Sequence, residues 1–206
     1  MEFKGIDISR WQGTIDFKKV KNDGVNFVFI KAGGSDDGFY TDRNFYRNYE
    51  NAKQNGLNVG AYYFAGTGCK DYPSGVQHAN EFYKIIKGLQ FDYPVVLDFE
   101  CQNKNEKANN TLAVQGFGDF FEKLQYYFMV YGSDISTFKE RVNDKELKCF
   151  DHWVARYGSE PKYVKPYGVW QYSSTGKVNG IAGNVDLNIS YNDYPGIMRK
   201  YHLNGY

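Results

Sequence analysis

Along the first 142 residues, short apolar stretches alternate with segments of helical periodicity. This alternation constrains the fold more than any other feature. Strand–helix–strand units close as parallel strand pairs with the helix packed across them. Strands are expected at 5–9, 25–31, 57–65, 93–100 and 127–131. Helices are expected at 15–22, from a Thr41 or Asp42 cap to Asn55, at 73–87, 112–124 and 136–142. Thr14 and Ser136 suit N-caps, and Pro73-Ser74 suits a first helical turn. Gly116 and Gly118 weaken the fourth helix. Beyond residue 142 the gaps are too short for full helices, and three strands at 153–157, 168–172 and 185–189 are joined by loops or hairpins. Eight strands with five helices specify an α/β chain: a single-domain, flattened and incomplete (β/α)8 TIM-like barrel. Its 206 residues suit one well-packed domain, expected over 1–194, with 195–206 left as a short C-terminal tail.

The strand Tyr93-Pro94-Val95-Val96-Leu97-Asp98-Phe99-Glu100 carries the chemistry. Side chains alternate faces, so Val95, Leu97 and Phe99 share one face and Val96, Asp98 and Glu100 the other. Two carboxylates then project side by side from an apolar strand. Burying like charges together is costly, so the pair belongs at a wet, functional mouth rather than in a core. The competing reading is a strand that simply runs out into solvent.

In a barrel of parallel strands, reactive residues collect at the carboxyl ends. The acids expected there are Asp7, Asp98, Glu100 and Asp186, with Tyr62, Tyr131 and Gln171 nearby. The three histidines, His78, His152 and His202, share no ligand spacing, so neither a metal nor another cofactor is expected. No G-x-S-x-G elbow is present. Cys101 lacks a histidine partner and is expected as a packed thiol turned away from the acids. Three widely spaced cysteines form no disulfide framework. A net charge of +1 offers no basic excess for nucleic acid. No stretch reaches the ~20 apolar residues of a membrane span. The start lacks the pattern of a signal peptide, so synthesis in the cytoplasm is expected. Nineteen tyrosines suit a cleft with flat, polar-tipped walls, as for a sugar. Glycoside hydrolysis fits best: it needs one protonated carboxyl and one ionised group, and an ionised Asp98 would raise the pKa of Glu100. Their close spacing favours attack by the substrate's own acetamido group, steered by Asp98.

Six segments resemble glycoside hydrolase family 25, in family order: GIDISRWQG (5–13), FVFIKAGGS (27–35), YRNYENAKQNGLNVGAYYF (46–64), YPVVLDFE (93–100), WVARYG (153–158) and WQYSSTGKVNGIAGNVDLN (170–188). The resemblance implies an N-acetylmuramidase of the phage endolysin or autolysin type, cleaving the MurNAc-β-1,4-GlcNAc bond of peptidoglycan. It implies Glu100 as acid/base, Asp98 as its partner, Asp7 and Asp186 as flanking carboxylates, and Tyr62 in the sugar subsite. Two departures, Tyr63 where the family often has histidine and Gly33-Gly34-Ser35 where it often has Thr-Glu-Gly, are expected at the cleft rim. Many relatives add a C-terminal wall-binding domain. An endolysin made without a signal peptide would reach the wall through a separate membrane-permeabilising protein, and no obligate protein partner is expected. A chitinase-like glycosidase and a catalytically silent sugar-binding module are the alternatives.

Overall fold

The computed structural model describes residues 2–206. The strands are β1 (Phe3–Ile8), β2 (Phe27–Gly34), β3 (Tyr40–Thr41), β4 (Asn58–Phe64), β5 (Val95–Asp98), β6 (Phe128–Ser133), β7 (Asp151–Ala155), β8 (Val169–Gly176) and β9 (Val185–Ser190). The α-helices are α1 (Phe17–Asn22), α2 (Phe45–Gln54), α3 (Tyr72–Ile86), α4 (Lys107–Lys123) and α5 (Tyr194–Tyr201). Eight strands close a barrel in the order β1-β2-β4-β5-β6-β7-β8-β9, with β9 returning to β1. All pairings from β1 to β8 around the ring are parallel. Only β9 runs antiparallel to both neighbours. The two-residue β3 lies outside the ring, on β2.

Alternation along the strands builds two cores. Ile30, Val59, Ala61, Val95, Leu97 and Val130 face outward and pack beneath the helices with Phe82, Phe117 and Phe121. Phe27, Phe29, Val96, Met129, Tyr131 and Trp153 face inward and fill the barrel. Aromatic rings stack within it, Phe27 on Tyr93 at 4.2 Å between centroids and Phe29 on Trp153 at 4.5 Å. Helices α3 and α4 make the closest helix pair. Gly75 abuts the Ala113 carbonyl and Gly116 the Tyr72 carbonyl, where any Cβ would collide. The glycine that weakens α4 as an isolated helix is therefore what lets the two backbones touch.

Several expected elements differ. Helix α1 starts at Phe17, because Asp16 rather than Thr14 supplies the cap, accepting from the Lys19 amide at 3.1 Å. Asn44 stands at the N-cap position of α2 without a side-chain cap bond, and the expected Asp42 caps the turn that leads into the helix: its Oδ1 accepts the Asn44 amide at 2.9 Å, while its Oδ2 accepts the Arg10 amide at 2.9 Å. Residues 136–142 form turns, not a helix: their amides bond alternately four and five residues back, as Arg141 and Val142 both do to the Thr137 carbonyl. The fifth helix is instead α5, in the segment expected to be a tail without a role. Tyr194 and Met198 enter the inner core, and Asn204 is buried, accepting from the Tyr127 amide at 2.7 Å and donating to the Tyr93 carbonyl at 2.9 Å. The C-terminal segment thus plugs the amino end of the barrel and leaves the carboxyl end open.

Candidate active site

Asp98 is the last residue of β5, inward-facing and 6% exposed. The Phe99 amide still bonds the Tyr131 carbonyl at 3.1 Å, and Phe99 lies in the outer core. The alternation therefore continues past the strand end and turns Glu100 back toward the mouth, where it is exposed at the rim. Asp7 lies on β1, directly opposite Asp186 on β9. Asp186 is near the start of its strand, not the end. It reaches the same rim because β9 runs antiparallel.

A hydrogen-bonded network holds Asp7. Its Oδ2 accepts from Gln171 Nε2 at 2.9 Å and Asn188 Nδ2 at 2.8 Å. Gln171 Oε1 in turn accepts from the Tyr131 hydroxyl at 2.9 Å and the Tyr157 hydroxyl at 3.2 Å. Asn188 Oδ1 accepts from Trp153 Nε1 at 2.8 Å. Each amide is used at both ends, so its orientation is fixed. Tyr62 closes the inner wall, edge-on to Trp153. All seven residues singled out in the sequence, Asp7, Tyr62, Asp98, Glu100, Tyr131, Gln171 and Asp186, meet at one mouth.

The electrostatics follow from burial. Asp7 is pushed up to about 8 by burial and then by Asp186, with the two amide donors opposing. Asp186 is raised by burial and eased by a hydrogen bond with Asp7. The pair therefore shares a proton, held on the Asp7 side. Asp98 is raised well above its ordinary value by burial and by Glu100, opposed by Lys31. Glu100 is raised by burial, opposed by Arg141 and Lys31. The expectation that an ionised Asp98 raises Glu100 is not met: Glu100 is raised by burial and, more weakly, by Asp186, and it is Glu100 that raises Asp98. Both groups are lifted by desolvation, the buried aspartate further, and they titrate together.

Sequence reasoning missed the counter-charges. Lys31 sits on the inward face of β2, with Nζ 4.4 Å from the Phe64 ring centroid. Burial lowers its pKa while Asp98, Asp36 and Asp42 raise it. Its inward phase, shared with Phe27 and Phe29, is the signal that could have found it. Arg141 is buried, its Nε donating to the Gln102 carbonyl at 2.8 Å. Trp11, 78% exposed just past β1, and Tyr157, 55% exposed just past β7, stand beside the mouth, Trp11 with the Arg10 guanidinium 4.9 Å from its ring centroid. Of the two departures expected at the rim, Tyr63 lies elsewhere: it faces the outer core against Phe82 and Phe117, because its inward neighbour is Tyr62. Gly33 and Gly34 end β2 at its carboxyl end, Gly34 level with Phe64 and through it with Asp98, but both are buried under Tyr40, and Ser35 beyond them is half-buried. Cys101, expected packed, is exposed, because the chain leaves the strand before reaching it. Among the described residues, no cluster of three His, Cys, Asp or Glu side chains is arranged to hold a metal ion, and no helix is long and apolar enough to cross a membrane.

The shared proton between Asp7 and Asp186 has a thermodynamic consequence. Between pH ~4 and 8 the unfolded chain releases the Asp7 proton while the folded chain keeps it. The unfolded state then binds fewer protons, so stability falls as pH rises through this window. Asp7→Asn cannot ionise and should lose most of that dependence. One pKa unit corresponds to about 1.4 kcal/mol, or roughly 3–5 °C in Tm for a chain of this size. Calorimetry at pH 5 and pH 8 should show wild type losing at least about 3 °C more than the variant. Parallel losses would mean that the pair holds no proton.

A closed barrel that presents paired carboxyls at its carboxyl rim meets the requirement of glycoside hydrolysis for two carboxyl groups. The chain belongs to glycosyl hydrolases family 25, whose model matches residues 6–181. It is 35% identical to the autolytic lysozyme of Clostridium acetobutylicum, over 89% of this chain and 54% of that protein. It is 31% identical to lysozyme M1 of Streptomyces globisporus, over 90% of this chain and 66% of that protein. The chain therefore spans about half the length of the first relative and just under two thirds of the second. Its fold superposes on the crystal structure of the CTP1L endolysin with a TM-score of 0.83 at 30% identity, covering 96% of this chain and 70% of that one.

Proposed function

We propose that the protein hydrolyses the β-1,4 bond between N-acetylmuramic acid and N-acetylglucosamine in peptidoglycan, with retention and with assistance from the substrate's acetamido group. The observation that carries this reading is the dyad at the end of β5: two carboxyls two residues apart, both raised, facing Asp7 and Asp186 across the rim. Glu100, at the cleft rim with its pKa raised above the ordinary value, protonates the glycosidic oxygen and later takes a proton back from the attacking water. Asp98 accepts from the acetamido N–H and so aims its oxygen at the anomeric carbon. Its Oδ1 is buried without a partner among the described residues, an acceptor that protein alone leaves unused. Asp7, pinned by Gln171 and Asn188, shares its proton with Asp186 opposite, and the single negative charge left on the pair faces the positive charge that develops on the sugar ring. Tyr62, Tyr131 and Gln171 line the sugar subsite, and the faces of Trp11 and Tyr157 suit sugar rings further along the strand. No resident metal takes part in this scheme. The relatives named lysozymes support the peptidoglycan substrate, and the site of action is the cell wall, reached through a separate membrane-permeabilising protein.

A turbidity assay on Gram-positive walls, run beside chitin oligomers, tests the reading. Clearing of walls with little release from chitin is expected. Equal or greater activity on chitin would make this a chitinase-like glycosidase. Binding without cleavage of either would make it a sugar-binding module.

A further inference from the structure

The carboxyl face carries a second concavity, continuous with Glu100 through the chain. It encloses about 550 Å³ between the loop after β4, with Thr67 and Lys70, the Cys101–Asn103 segment, and the start of α4, with Glu106 and Asn109. Its character differs from that of the acid mouth. Carboxamides dominate: Gln102, Asn103, Asn109 and Asn110 all contribute to the lining. A carboxamide offers two donors and an acceptor, the complement of a peptide group.

Some of that capacity is committed. Gln102 donates to the Ala65 and Gly66 carbonyls at 3.0 and 3.1 Å, and Asn110 donates to the Asn103 and Arg141 carbonyls at 2.8 and 3.1 Å. These bonds rigidify the floor. Gln102 is 3% exposed, and its Oε1 has no partner among the described residues. Helices α3 and α4 both begin at this groove, and the start of α4 has no side-chain cap. A 3-10 turn at 104–106 runs into α4, and Asn103 Oδ1 caps it by accepting from the Asn105 amide at 3.0 Å, so the cation on this side is the exposed Lys70. On the acidic side, Asp71 is engaged in capping α3 through the Ser74 amide at 2.9 Å, and Glu106 accepts from Asn109 at 3.2 Å. Amide-complementary side chains with one exposed lysine beside two hydrogen-bonded carboxylates fit a short peptide better than a neutral sugar.

We propose that this groove binds the peptide stem carried by the lactyl group of the muramoyl residue, and that the protein therefore prefers stem-bearing glycan. The inference rests on the muramidase reading: peptidoglycan is the glycan whose sugars bear such peptides, and the groove starts one residue from the proposed acid. Stem binding would use contacts remote from the reacting bond to hold the sugar in register with Glu100.

The test uses soluble, uncross-linked glycan strands and the same strands after an amidase has removed the stems. Wild type should show kcat/KM about tenfold or more higher on the stem-bearing strands. Lys70→Glu and Asn109→Ala, both at exposed positions outside the acid mouth, should each lose much of that preference while cleaving stripped strands at the wild-type rate. Equal wild-type rates on the two polymers, or variants that slow both alike, would overturn the stem site and leave the muramidase reading standing. Wild type cleaving neither polymer would overturn both.

Discussion

Replacing Glu100 with glutamine is expected to lower kcat/KM on peptidoglycan by about 10²–10⁴-fold, the usual worth of a positioned general acid–base. Glutamine keeps the shape and removes the transferable proton. Because Glu100 is exposed at the rim rather than packed in either core, the variant should fold normally, with a Tm within a degree or two of wild type, as for most surface substitutions. The loss should appear in kcat rather than KM, since the proton moves in the transition state and not in the bound ground state. Asp98→Gln is a poorer test, because Asp98 is buried and a larger side chain would disturb the inner core. A Glu100→Gln enzyme within about threefold of wild type would remove Glu100 from the chemistry.

Peptidoglycan from which the N-acetyl groups have been chemically removed should bind but be cleaved at least about 10²-fold more slowly. The argument is geometric. Residues i and i+2 on a strand leave the same face, with Cα atoms about 6–7 Å apart. A direct displacement asks its nucleophile and its acid to approach the sugar from different directions. Asp98 and Glu100 meet that demand poorly, and Asp98 is buried in the wall of the mouth rather than presented at the rim. As an acceptor for an amide N–H it needs only a fixed position, which the strand supplies. An acetamido oxygen already joined to the sugar then supplies the attack with the advantage of an intramolecular group. Equal rates on acetylated and deacetylated walls, or isolation of a glycosyl ester on Asp98, would replace this scheme with direct attack.

The ring of parallel strands was legible because hydrophobic phase and connection length are local properties. Val95, Leu97 and Phe99 against Val96 and Asp98 separate the outer core from the mouth on sequence alone. What lay outside that logic depends on distant partners. The antiparallel course of β9 is set by its pairing with β1, and only that pairing brings Asp186 opposite Asp7. Helix α5 is short, and its place comes from tertiary contacts: Tyr194 donates to Asp151 at 2.5 Å, and Tyr206 reaches Asp92 through its hydroxyl. Lys31 escaped notice for a similar reason. Its phase with Phe27 and Phe29 marks it as inward, but that it meets Asp98 depends on closure of the barrel.

The position of the cut tests the central claim most directly. Digested walls are reduced with borohydride and hydrolysed, and the new alcohol is identified chromatographically. A dyad that protonates the oxygen leaving the muramoyl carbon predicts muramitol as the new reduced end, rising with digestion and missing when Glu100→Gln replaces wild type. Glucosaminitol in its place would put the cut on the other side of the muramoyl residue and contradict the account.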